Sequence, residues 1–158
     1  MFREMRRKER QIGEEECISI LKNEKRAVFS VMGDDGYPYT VPVNFVYNEK
    51  DGNIYFHCAL QGHKIDSIRK NDKVCFTVMD GGVKSEKDWS YYVKSVVVFG
   101  RASIMEEGED KKAMCRLFGE KYIPTREELD QEMEHAYPRV NMVRIKIEDM
   151  KGKRVHEK

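Results

Sequence analysis

The chain has 158 residues, a length that suits one domain and buries roughly 68–70% of its unfolded surface. Lys and Arg total 29 against 28 Asp and Glu, and this near-neutral balance argues against a strongly basic nucleic-acid binder. The 7 Phe and 8 Tyr argue against an acidic disordered chain. No apolar run approaches the ~18 residues of a membrane span. The start, MFREMRRKERQIGEEE, is charged and has no apolar export core, so the expected location is the cytoplasm. Cys17, Cys58, Cys75 and Cys115 lie in no C-x-x-C pair and match no zinc spacing. They read as reduced thiols, with no metal site.

The elements follow in chain order. Residues 11–23 read as a short helix, with Cys17, Ile20 and Leu21 on one face and acids in the first turn. Arg26 to Met32 is a Val- and Phe-rich strand, and Gly33-Asp34-Asp35-Gly36 a turn. Tyr37 to Tyr47 alternates: Tyr39, Val41, Val43, Phe45 and Tyr47 share one face, and Thr40, Pro42 and Asn44 the other. Pro38 and Pro42 predict an edge strand or a bend. Asn53 to Ala59 places Ile54, Phe56 and Cys58 on one face and Tyr55 and His57 on the opposite one. Residues 62–71 are a break followed by a short helix, and Lys73 to Met79 is a strand.

Residues 80–88 form a polar loop. Residues 89–105 hold a strong strand, YYVKSVVVFGRASI, with Gly100 as a bulge or close-approach point. Residues 109–122 have helical spacing through Met114, Leu117 and Phe118. Thr125 caps a further helix, with Glu128 at the capping-box position. An alternating strand, residues 142–148, follows. Consecutive strands with few helices predict a mainly β, α+β fold: a six-stranded antiparallel split β-barrel with short flanking helices, not a doubly wound sheet. We expect one domain: an arm and helix (1–25), a barrel core (26–106), a helical cover (107–140) and a last strand (141–150).

Common catalytic signatures are absent: G-x-G-x-x-G, G-x-x-x-x-G-K-[ST], H-E-x-x-H and G-x-S-x-G do not occur. Gly62-His63-Lys64 opens a short helix directly after a strand. A helix N-terminus presents free N–H groups, Lys64 adds a point charge and Ser67 a hydroxyl, which suits a phosphate. Spacing alone favours the plainer reading of a solvated turn lysine. His57 faces outward or into a subunit interface; it is a ligand-facing imidazole or a satisfied surface histidine. Thr40, Pro42 and Asn44 offer polar atoms to a heterocycle, or simply form a half-exposed edge. Trp89, Tyr91 and Tyr92 could stack on a flat ring or form a rim. Arg3, Arg6, Arg7, Lys8 and Arg10 make a basic run, read as a solvated tail or an arm on a partner subunit.

Four segments together carry a resemblance: MRRKERQI, GYPYTVPVNFVY, IYFHCALQGHKIDSIRKNDKVCFTV and YYVKSVVVFGRA, with MVRIKIEDMKGK in keeping. The sequence resembles the FMN-binding split-barrel family related to pyridoxamine 5'-phosphate oxidase, in its nitroimidazole-resistance (Nim-type) branch. The resemblance implies a homodimer with FMN at the subunit interface. It implies that Gly62, His63 and Lys64 meet the FMN phosphate. Thr40, Val41, Pro42, Val43 and Asn44 would line the ring; Tyr55, Phe56 and His57 would follow the ribityl chain or ring; Ser95 would come from the partner strand. The implied activity is an oxidoreductase passing electrons from NAD(P)H through FMN to a nitroaromatic, quinone or flavin. No catalytic residue is assigned beyond an orienting or proton-donating His57. The alternative is a non-enzymatic flavin- or haem-binding module of the same fold. The end, KGKRVHEK, holds only a loose echo, Arg154 and His156, of the arginine-histidine pair that pyridoxamine-phosphate oxidases use.

Overall fold

The computed structural model describes residues 1–158. The strands are β1 (Gln11–Ile12), β2 (Arg26–Met32), β3 (Pro38–Asn44), β4 (Val46–Asn48), β5 (Asn53–Ala59), β6 (Lys73–Met79), β7 (Val83–Lys84), β8 (Tyr91–Ile104) and β9 (Val140–Glu157). The helices are α1 (Glu14–Asn23), α2 (His63–Lys70), α3 (Glu109–Tyr122) and α4 (Arg126–Ala136). One sheet runs β3-β2-β6-β8-β9-β5-β4, with β1 on β9 and β7 on β8, and every pairing is antiparallel. The sheet curls into a half-barrel, as the split-barrel expectation required.

The period-2 pattern decides which face turns inward. Phe29 of β2, Phe56 of β5, Phe76 of β6 and Val96 and Val98 of β8 are fully buried in one core. Phe29 meets Phe56 at 4.8 Å, and Phe76 meets Phe45 edge-on at 5.1 Å. The stripe Cys17, Ile20 and Leu21 of α1 packs into the same core. At Gly100 the β8–β9 register shifts. A Cβ there would collide with the Lys146 carbonyl oxygen and lie 3.0 Å from Ile145 Cγ2, so the close-approach reading holds. All four cysteines are free thiols, Cys17 and Cys58 buried.

Three expectations are corrected. The strand expected over residues 37–47 breaks at Phe45 into β3 and β4. The last strand extends to Glu157, because its charged second half pairs with β1 and with the first half of β8. Gln11 and Ile12 join β9, so α1 starts only at Glu14.

The outer surface of the barrel has two halves. Over β4, β5 and β9, the side chains of Val46, Tyr55 and Met142 pack under Phe118 of α3. Over β3, β2, β6 and β8, no element covers the sheet. One row there runs Pro42, Val28, Thr77, Val97 and the next Thr40, Ser30, Cys75, Phe99. Val28, Met32, Met79 and Phe99 stay exposed on it, and Phe2 of the N-terminal arm stacks on Phe99 at 5.7 Å.

Candidate functional site

Gly62 caps α2 with φ at 133°, a conformation that side-chain-bearing residues rarely adopt. The N–H groups of Ile65 and Asp66 both reach the Gly62 carbonyl, at 2.9 and 3.1 Å. Those of His63 and Lys64 find no acceptor within the chain and point off the helix start. The Lys64 side chain is half-buried and has no carboxylate partner. Its charge faces the buried Cys58 thiol, offsetting part of the rise that burial imposes there. The cradle therefore offers a glycine turn, two free amides and an unpaired cation, which is what a phosphate requires.

His63 is held rather than free. Its ring stacks on Tyr39 at 4.0 Å, with Nε2 3.6 Å from Asp34 Oδ2. Lys70 reaches Asp34 from the other end of α2 at 3.1 Å and, with a smaller contribution from His63, keeps that carboxylate below its usual range. Asp34 thus ties the β2–β3 turn to α2. Sequence reading saw only a turn in Gly33-Asp34-Asp35-Gly36, because a partner some 30 residues away leaves no local mark. Ser67 is only 2% exposed, so its hydroxyl is not presented to the cradle.

Along β3 the alternation places residues as expected. Thr40, Pro42 and Asn44 face outward, and Thr40 Oγ1 meets Ser30 Oγ at 2.9 Å. Val41 and Val43 lean inward on the core, so beyond the sheet they offer main chain only. β3 is an edge strand, with backbone groups unpaired along its free side. Phe56 is sealed inside the core, and Tyr55 lies under α3 with its hydroxyl donating to Asp51 at 2.7 Å. Burial, then Asp51, pushes the Tyr55 phenol up to about 12. Neither side chain of this pair is open to a cofactor; their strand serves as scaffold. Ser95 is half-buried on the outer face, opposite Met79 and Lys153.

His57 lies at a second feature. It sits on the outer face of β5, and its ring meets Phe118 edge-on at 4.5 Å. It opens into a cleft of about 640 Å³ between α3 and α4. Apolar walls come from Phe118, Ile123, Leu129 and Val140, and polar groups from Glu128, Glu132 and His135. Burial lowers the His57 pKa, with Glu132 opposing, so the imidazole is neutral at pH 7. The helical spacing of 109–122 was legible; that these helices roof His57 was not.

One hydroxyl fixes the geometry between these regions. Where β3 breaks, Tyr122 of α3 accepts the Phe45 N–H at 2.9 Å and lies 2.6 Å from the carbonyls of Phe45 and Lys25. At the far end of the barrel, Ser90 is fully buried; its hydroxyl donates to Asp88 and lies 2.6 Å from His156 Nε2. His156 also stacks on Tyr92 at 4.3 Å. This network closes the loop after β7 onto the end of β9.

Comparison with known proteins comes to the same architecture. A family model described as pyridoxamine 5'-phosphate oxidase matches residues 13–154. Among curated protein sequences none matches significantly. The structure of a candidate 5-nitroimidazole antibiotic resistance protein from Bacteroides thetaiotaomicron VPI-5482 aligns with a TM-score of 0.76 at 22% identity, over 93% of this chain and 87% of that one. An FAD-binding protein of Mesorhizobium loti aligns at 0.65 and 22%, over 92% and 97%. The flavocytochrome Anf3 of Azotobacter vinelandii aligns at 0.73 and 21%, over 95% and 71%. At these identities the likeness is one of fold; two of these neighbours are an FAD-binding protein and a flavocytochrome. With the family model spanning nearly the whole chain, this protein belongs to the pyridoxamine 5'-phosphate oxidase family.

Proposed function

We propose that this chain is an FMN-binding flavoprotein, acting as a homodimer, that passes reducing equivalents from NADH or NADPH to a small acceptor such as a nitroaromatic, a quinone or free flavin. The Gly62–Lys64 cradle carries the reading. It joins a positive-φ glycine, two free amides and an unpaired lysine at one helix start. Flavin-binding relatives of the same fold support it.

In this reading Lys64 and the α2 amides hold the phosphate, and the free edge of β3 gives main-chain hydrogen bonds to the ring between Thr40 and Asn44. FMN, when bound, supplies the hydride chemistry. Neutral His57 orients the acceptor by donating a hydrogen bond to it from a ring N–H, while Phe118 and Leu129 give the cleft apolar walls. A second copy would cover the open outer face, where Val28, Met32, Met79 and Phe99 are exposed. Oxidation of pyridoxamine phosphate is not part of the proposal, since His156 is engaged by Ser90 and Tyr92.

The test is anaerobic mixing of the purified protein with NADH or NADPH, followed by acceptor. Bleaching of the visible flavin band by a nicotinamide, then recolouring by a nitroaromatic or quinone, is the expected result. A flavin that stays oxidised with both nicotinamides would leave a binding module and sink the enzymatic reading.

A further inference from the structure

The arm preceding β1 borders an open recess of about 340 Å³ lined by Met5, Arg6, Arg7 and Lys153. The arm is anchored there. Gln11 pairs with Lys153 and Ile12 with Gly152, and the Arg10 N–H donates to the Arg7 carbonyl at 3.1 Å. Gly152 allows the close approach, because a Cβ would collide with Cys17 Sγ and Ile12. The end of the basic run is therefore tied to β9, with Arg6 and Arg7 exposed beside Lys153.

The charges in this recess are uncompensated. Glu4 pairs with Lys8, Glu16 with Lys94 and Asp149 with Lys151 rather than with the recess. Arg6, Arg7 and Lys153 have no carboxylate within ion-pair distance, in a chain whose net charge is only +1. Two guanidinium forks and one ammonium around a concavity match a phosphate monoester, which carries about −1.5 to −2 charge and three acceptor oxygens. Lys153 stands in the row Met79–Ser95–Lys153, at the margin of the open outer face.

We propose that Arg6, Arg7 and Lys153 form an anion site for the 2'-phosphate of the reductant, selecting NADPH over NADH. This rests on the flavin reading above, in which the flavin phosphate belongs to the Lys64 cradle and leaves this recess for a second phosphate. The chain has no dinucleotide fingerprint, so a reductant that docks transiently needs a handle of this kind.

The experiment is calorimetric titration of the purified protein with two redox-inert probes, 2',5'-ADP and 5'-AMP. The wild type should bind 2',5'-ADP at least tenfold more tightly. Arg6→Ala, Arg7→Ala and Lys153→Ala should each weaken it by about tenfold, the loss of one charge-assisted contact. The triple variant should bind the two probes equally, with unchanged melting temperature and flavin content. Lys8→Ala, outside the recess, should behave as wild type. Equal affinity for both probes in the wild type would overturn the proposal, as would unaltered 2',5'-ADP binding in the triple variant. Loss of FMN from the recess variants would overturn it too, assigning the recess to the flavin's own phosphate. Absence of flavin in the wild type would defeat the functional reading while leaving these titrations decisive for the recess.

Discussion

Replacing Tyr122 with Phe removes one oxygen and leaves the ring. The stack of that ring on Phe118, at 4.8 Å, is retained. The hydroxyl accepts the Phe45 N–H and donates to one of two carbonyls, Phe45 or Lys25. Phe45 is fully buried at the strand break, so no neighbouring strand takes over these groups. A hydrogen bond contributes about 0.5–1.5 kcal/mol net, and an orphaned buried polar group costs about 1–3 kcal/mol. Two groups lose their partner, and the Lys25 side is open enough for water to relieve one of them. The expected cost is about 2–3 kcal/mol, or roughly 4–12 °C in melting temperature for a chain of this size. Urea titration at fixed protein concentration measures it. A loss under about 0.5 kcal/mol, within the range of an ordinary surface change, would refute the claim that this hydroxyl closes the break. Because β3 hangs from that joint, flavin affinity should fall in the same variant, although Tyr122 is placed in no contact with the cofactor.

Three further outcomes are expected. Lys64→Ala should weaken FMN binding by about 1.5–3 kcal/mol, the range for a hydrogen bond to a charged group, and leave riboflavin, which lacks the phosphate, unchanged; equal losses for both would move the phosphate elsewhere. The folded pKa of His57 lies below its unfolded value, so the unfolded chain takes up that proton first as pH falls. Below the ordinary histidine pKa of about 6.5, wild type should therefore lose stability relative to His57→Gln, levelling off once pH passes the folded pKa; parallel pH–stability curves would contradict the partly desolvated, neutral imidazole under Phe118. Gly100→Ala should cost about 1–3 kcal/mol or more through overpacking at the register shift, read as a lower urea midpoint, whereas Gly81→Ala, with open space around it, should be near neutral.

Much of this molecule was legible because alternation and helical spacing report burial directly. β2, β5, β6 and β8 follow their apolar residues, and Gly100 marks its own crowding. The break at Phe45 was hidden because alternation survives it: Phe45 and Tyr47 still face the main core while Val46 turns to α3. Its cause, the Tyr122 hydroxyl, lies 77 residues away. The second half of β9 was missed because its stretch is charged and half-exposed, held by ladder bonds rather than by an apolar face. At the site, Gly62 and Lys64 were readable from a turn followed by a helix start. The fate of Ser67 was not, since it lies between Ile65 and Ile68 on the buried side of α2. His57 was correctly placed outward, but one strand's period cannot name the helix that roofs it.

The proposed seat of FMN is the Gly62–Lys64 cradle. The most direct measurement is the absorbance spectrum of the purified, desalted protein, with mass spectrometry of what acid releases, for wild type and Lys64→Ala side by side. A flavin spectrum with an FMN mass in the wild type, and a colourless or weakly loaded variant, is the predicted result. A wild type that holds no flavin and takes up none on titration would contradict the account, as would a variant that retains its FMN in full.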